Sequence, residues 1–228
     1  MRKPSKPAPY PLLALDLQIS NGGQDFIAGL DEAGRGAWAG PVVAAAVILP
    51  LQQPGLGHVL AGVRDSKLLT PKQREHWAAQ IRQCATALAT GAASPEEVDQ
   101  LGIIKATRLA MQRALLCLPH HPAHLLLDYL LLPDLPIPQT SLPHGEHHAL
   151  SIAAASIIAK VSRDHLLQAL ELRFPGYGFA AHKGYGTPQH KAALAQLGPC
   201  LMHRFSFAPV AACCPSANTH PAGVADKP

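Results

Sequence analysis

Aromatic residues are scarce, at 5% of the chain, so any core must be built from Ala, Leu, Ile and Val. Long apolar runs are missing too. The strongest, Val42 to Leu49, is closed by Pro41 and Pro50. A bilayer span needs about 20 apolar residues, which excludes a membrane anchor. Arg2, Lys3 and Lys6 mimic the start of a secretion signal, but prolines and Asp16 break up any apolar segment behind them. The five cysteines (84, 117, 200, 213 and 214) are odd in number and form no C-x-x-C pair. This points to reduced thiols in a cytoplasmic protein rather than a disulfide framework. Neither sign of charge dominates: 19 Lys and Arg against 15 Asp and Glu leave +4. That permits a polyanionic partner without requiring one. What is abundant is apolar: 48% hydrophobic residues in 228, which excludes global disorder and suits one large domain.

No internal repeat is visible. Residues 1–24 are Pro-rich, then polar, with Asn21-Gly22-Gly23 as a turn signal, and are expected to form a flexible arm. Residues 208–228 lack an apolar period and are expected to be a disordered tail. Between them, over 25–207, strands and helices mix. Phe26 to Leu30 and Leu125 to Leu127 are apolar runs that end in acids, Asp31-Glu32 and Asp128. Val42 to Leu49 and residues 85–92 have strand character. Thr70-Pro71-Lys72-Gln73 and Ser94-Pro95-Glu96-Glu97 are helix starts of the capping-box type. The second should open a helical stretch running to Leu118. Ser151 to Phe174 is Ala-rich and free of Gly and Pro, so it should be one long helix. Thr187-Pro188 opens a last short one. The class is α/β, and two strands ending in acids could bring distant carboxylates to one crevice.

The sharpest local feature is Asp31-Glu32-Ala33-Gly34-Arg35-Gly36, followed by Ala39-Gly40-Pro41. Adjacent acids at a strand end repel and are costly to bury, and a divalent cation removes that cost. Oxygen donors suit Mg²⁺ or Mn²⁺. Gly34 and Gly36 permit close backbone approach, and Arg35 offers charge-assisted donors to a phosphate. On spacing alone, a tight turn with a solvated acid pair accounts for the pattern equally well.

The stretch from Ile27 to Val47 closely resembles the opening of the ribonuclease HII (type 2 ribonuclease H) family. Further matches follow in order: Asp65-Ser66-Lys67; Asp128 after three leucines; Ser151 to Asp164; and His182-Lys183-Gly184-Tyr185-Gly186-Thr187 with His190. The resemblance implies an RNase H-like fold, with a mixed central sheet flanked by helices and a C-terminal helical extension. It implies endonucleolytic hydrolysis of the RNA strand of RNA–DNA hybrids, and cutting at single ribonucleotides in duplex DNA. Two divalent cations, Mn²⁺ or Mg²⁺, would act on the scissile phosphate, leaving 5′-phosphate and 3′-hydroxyl ends. Asp31, Glu32 and Asp128 match three of the family's four metal-binding carboxylates. The fourth is usually Asp in a Lys-Gly-Asp context, and here reads His144-Gly145-Glu146. Glu146 therefore takes that position, one methylene longer, while Asp164, the rival for it, is read as structural or as a neighbour that supports the ligands. By resemblance Gly34, Arg35 and Gly36 read the ribose 2′-hydroxyl, Ser66 and Lys67 hold phosphate, and Tyr185 stacks on the neighbouring deoxyribose.

The histidines form two local groups, 120/121/124 and 144/147/148, and neither has zinc-ligand spacing. Surface positions are the simpler reading, with His147 and His148 placed to tune Glu146. A monomer without membrane contact is expected. The rival readings are a hybrid-binding protein of weak catalysis, and an endonuclease for all-DNA junctions.

Overall fold

The structure, a computed structural model, describes residues 10–21 and 25–214. In chain order the elements are α1 (Leu13–Ile19), β1 (Ile27–Ala33), β2 (Val42–Ile48), α2 (Leu56–Val59), α3 (Pro71–Cys84), β3 (Ala87–Ala93), α4 (Pro95–Leu101), α5 (Ile103–Leu116), β4 (His124–Asp128), β5 (Gln139–Leu142), α6 (Leu150–Arg173), α7 (Phe179–His182), α8 (Pro188–Leu197) and α9 (Ala208–Ala211). Short 3₁₀ turns cover Ser66–Leu68 and Gly145–His147.

The five strands lie in the order β3-β2-β1-β4-β5. Strand β2 runs antiparallel to both of its neighbours, β3 and β1, and β4 and β5 run parallel to β1. The central strands are buried on both sides, which is why β2 reads as an unbroken apolar run. Side chains alternate between two cores. Ile27, Ala45, Val47 and Leu126 face α6, together with α1 and α3. Ala28, Leu30, Ala44, Ala46, Leu125 and Leu127 face α5. The Ala-rich half of α6 lies very close on β1. A Cβ on Gly29 would stand 2.2 Å from the carbonyl carbon of Ser151, so only glycine fits there.

Both capping boxes form as the sequence predicts. Thr70 and Gln73 exchange bonds of 3.3 and 2.9 Å, and Ser94 and Glu97 bonds of 3.1 and 2.8 Å.

Four expectations need correction. Within the described part of the expected arm, Leu13–Ile19 form α1, which packs on the core. Its Asp16 is fully buried and caps the N-terminus of α6, accepting from Leu150 N at 2.8 Å and Ser151 N at 3.3 Å. Ala149, at the N-cap of α6, has no capping side chain, so α1 supplies the missing acceptor. The helical stretch to Leu118 is two helices, broken at Gly102 with φ 75°. Strand β1 does not end at Asp31 but carries the acids and runs on to Ala33. Residues 208–211 of the expected tail are α9, anchored by the buried Val210. The expectations for 1–9, 22–24 and 215–228 lie outside the described residues.

Candidate active site

Two parallel strands bring the first acids together. The β1–β4 register pairs Leu30 with Leu127, and its next step sets Asp31 beside Asp128 on the face toward α6. Asp31, Glu32 and Asp128 line one cavity of about 280 Å³, with residues 33–36, Ser66, Lys67, Ser156, Lys160 and Tyr185. A larger cavity of about 530 Å³, between α1 and the turn at 51–58, offers only Tyr10 and His58 as titratable groups and has no such chemistry.

The acids are crowded. Burial, then the charges of Glu32 and Asp128, push the Asp31 carboxyl well above its usual range. Burial also raises Glu32, against the pull of Arg35, and raises Asp128, against the Gly145 N–H that donates to its Oδ1 at 2.9 Å. Glu32 Oε1 accepts from Arg35 at 3.1 Å, whereas the buried Glu32 Oε2 has no hydrogen-bond partner among the described residues.

Glu146 stands apart from the other three. It does not line this cavity. It is 2% exposed in the adjoining 3₁₀ turn, with Oε1 3.5 Å from Lys67 Nζ and Oε2 unpartnered. Its charge still reaches Asp128. Asp65 and His147 gather round it: the three residues offer ligand atoms within 4.8 Å of one another. Asp65 also caps the Ser66–Leu68 turn through Lys67 N at 2.9 Å. The motif Asp65-Ser66-Lys67 marks this place in the sequence, but nothing in it singles out Asp65 as a neighbour of Glu146. Asp164 is tied to Lys160 at 2.7 Å and Arg74 at 3.8 Å, and does not line the carboxylate crevice.

The glycine-flanked arginine sits on a loop clamped from below by two buried guanidinium groups. Arg163 of α6 donates to the carbonyls of Pro41, Ala39 and Lys183 at 2.8–2.9 Å. Arg204 donates to the carbonyls of Arg35 and Gly40. Gly34 has φ 93°, and a Cβ there would lie 2.0 Å from Arg163 Nε, so the loop needs glycine for both conformation and space. Burial and the nearby Arg163 charge push Arg204 down to about 9. Arg163 lies within a quoted motif, but its partners are carbonyls scattered along the chain, which leave no sequence pattern. Arg35 itself is free on its outer side, with a side chain 37% exposed.

Lys67 is exposed, and the charges of Asp65, Glu146 and Asp31 raise its pKa against partial burial. Ser66 is buried, with its hydroxyl bonded to Ser156 Oγ at 2.8 Å, so it joins the cavity wall to α6. The Tyr185 ring lies beneath Lys160 Nζ at 5.4 Å and Arg163 Cζ at 5.3 Å from its centroid. Beyond Lys160 and Tyr185 the crevice opens into a second cavity of about 500 Å³ carrying Arg74 and Lys183.

The donor set fits divalent cations. All four acids offer oxygen ligands. Glu32 and Glu146 each hold a buried oxygen without a partner among the described residues, and three carboxyls are destabilised by burial and crowding.

Comparison with known proteins agrees with this geometry. The ribonuclease HII family profile matches residues 28–210. Ribonuclease HII of Thermus thermophilus is 54% identical over 186 residues, covering 82% of this chain and 88% of its own. That of Herpetosiphon aurantiacus is 50% identical over 195 residues, covering 86% and 94%. Among solved structures, ribonuclease H2 of Pyrococcus horikoshii superposes with a TM-score of 0.68 at 24% identity, covering 82% of this chain and 96% of its own, which carries the fold. With the profile spanning most of its length and half or more of the aligned residues identical to these relatives, the chain belongs to the ribonuclease HII family.

Proposed function

We propose that the protein is an endonuclease that hydrolyses the RNA strand of RNA–DNA hybrids and cuts at single ribonucleotides embedded in duplex DNA. One observation carries the reading: Asp31, Glu32 and Asp128 share a crevice with the loop of Gly34, Arg35 and Gly36 and with Tyr185.

Asp31, Glu32 and Asp128, with Glu146 behind them, would hold two divalent cations, Mn²⁺ or Mg²⁺. When bound, these would supply Lewis-acid activation of water and charge stabilisation at the leaving oxygen, giving 5′-phosphate and 3′-hydroxyl products. The residues of the chain do the rest. The outer face of Arg35 and the ammonium of Lys67 bind backbone phosphates, and Ser66 holds the wall behind them. Gly34 and Gly36 let the loop backbone approach a 2′-hydroxyl, the group that separates RNA from DNA at one nucleotide. Tyr185 packs against the sugar on the other side of the junction. Glu146, now turned toward Lys67 and Asp65 beside the cavity, would have to swing its longer side chain toward this centre to join the ligand set.

We also place the enzyme in the cytoplasm as a monomer. Its five thiols are free, and no helix among the described residues is long and apolar enough to cross a membrane.

The test is a duplex carrying one ribonucleotide, incubated with Mn²⁺ or Mg²⁺. Cleavage at the ribonucleotide is expected, lost with a chelator and weakened by Arg35→Ala. Binding without cleavage would identify a hybrid-binding protein instead, and cleavage of all-DNA junctions a structure-selective nuclease.

A further inference from the structure

Three of the 13 histidines, His182, His190 and His203, are buried in the C-terminal module, around Tyr177 and Phe179. A buried imidazole is costly unless both nitrogens find partners. Here they do, and the partners dictate where each proton sits.

His182 Nδ1 accepts from Gly184 N–H at 3.1 Å, so its proton is on Nε2, which donates to the Tyr177 carbonyl at 2.8 Å. His190 Nδ1 lies 3.0 Å from the Tyr185 carbonyl, which can only accept, so His190 carries its proton on Nδ1. Its bare Nε2 then faces His203 Nε2 at 3.0 Å, and the one proton between them must belong to His203. His203 Nδ1 is left as an acceptor for Cys200 N–H at 3.0 Å, with the Cys200 carbonyl and thiol 3.2 Å away. The result is a one-way chain of donors from Cys200 N–H through His203 and His190 to the Tyr185 carbonyl. Burial, together with the charge each ring would carry beside another histidine, keeps the relay neutral. His203 is pushed down to about 4, and His190 is lowered as well.

The chain ends where the site needs rigidity. All four backbone polar groups of Gly184 and Tyr185 are bonded. Gly184 N–H goes to His182, and Gly184 O takes Trp38 N–H at 2.8 Å and Ala39 N–H at 3.2 Å. Tyr185 N–H goes to His182 O at 3.0 Å, and Tyr185 O is held by His190 and by Thr187 N–H. Such anchoring fixes the Tyr185 Cα and aims its ring into the carboxylate crevice.

We propose that His190 and His203 are positioning residues, a two-histidine relay of fixed tautomers that holds Tyr185 against the nucleotide beside the scissile phosphate. The proposal rests on the reading of Tyr185 as a nucleic-acid contact. A purely structural pair would stabilise the module without bearing on substrate affinity.

Two measurements on the full chain decide it. Long-range ¹H–¹⁵N NMR should find His190 protonated on Nδ1 and His203 on Nε2; the opposite tautomer at either ring overturns the relay. Steady-state cleavage of the one-ribonucleotide duplex then separates the roles. Asn can reproduce an Nδ1 donor and Gln an Nε2 donor. H190Q should raise KM about fivefold, the scale of one hydrogen bond, with H190N restoring most of the affinity. The pattern inverts at the second ring, with H203N weakened and H203Q rescued. Loss of folded protein lowers apparent kcat and leaves KM unmoved, so a stability effect is distinguishable. Where the variants at one ring fail to fold, the tautomers of the wild-type chain still test the relay and the pair of variants at the other ring still reads the effect on KM. A wild-type chain that leaves the duplex intact sinks the proposed function itself. A wild-type chain that cuts, with one KM shared by H190Q and H190N, sinks the relay alone.

Discussion

The carboxylate crevice and the histidine module are both buried and polar, yet they treat polar atoms in opposite ways. In the module, each histidine nitrogen meets a backbone group or another ring, and the two deep guanidinium groups of Arg163 and Arg204 are surrounded by carbonyls. In the crevice, carboxyls crowd one another, and one oxygen of Glu32 there, like one of Glu146 in the adjoining turn, has no hydrogen-bond partner among the described residues. A fold tolerates unpaired buried charge only where something outside the chain completes it. Satisfied polarity is thus what the supporting module shows, and the unpaired carboxylate oxygens lie where the proposed function puts cations and substrate.

The largest test of this contrast is Asp31→Asn. On the proposed reading it removes a metal ligand together with one of the crowded charges. Cleavage should fall on the order of a thousandfold, while the melting temperature holds or rises, because the lost carboxylate was costly to bury. A fall in both would place Asp31 among the supports instead.

Arg163→Met probes the other side. Three buried carbonyls would lose their donor, at about 3 kcal/mol in all, which lowers the melting temperature by roughly 10 °C for a chain of this size. The loop carrying Arg35 loses its clamp, so KM should rise as well. A variant as stable as wild type would show that the carbonyls find other partners.

Much of this frame was legible in the sequence because it rests on local chemistry. The capping boxes at Thr70 and Ser94, the long helix before Phe174, and the acids in β1 and at the end of β4 are written in adjacent residues. What escaped depends on distant partners. Asp16 caps a helix 134 positions away, and the prolines around it suggest an arm rather than a packed element. Strand β5 is four half-buried residues between Pro138 and Pro143, too short to show alternation. Arg204 and the histidine pair act on backbone carbonyls, which every residue possesses, so no side-chain pattern announces them. Glu146 was legible as an acid in register, but not its turn toward Lys67 and Asp65.

The smallest expected effect lies where polar groups are satisfied but wet. Glu97 closes the capping box of α4 and also receives both Arg113 Nη1 at 2.8 Å and Nη2 at 2.7 Å. The Arg113 hydrogen bonds, then the Ser94 N–H, hold its carboxyl down at about 2. A carboxyl with a lowered folded pKa adds stability that is fully present above its unfolded value, near 4.5, and is lost as pH falls through about 2. Both side chains are partly exposed, so solvent screens the pair and its contribution should be only about 0.5 kcal/mol. Urea unfolding of Glu97→Gln against wild type should show that difference at pH 7, shrinking below pH 4 and vanishing near pH 2. A difference independent of pH would mean that the glutamate acts as a hydrogen-bonding cap alone. A difference of several kcal/mol would mean that exposed, satisfied polarity supports this fold as strongly as the buried kind.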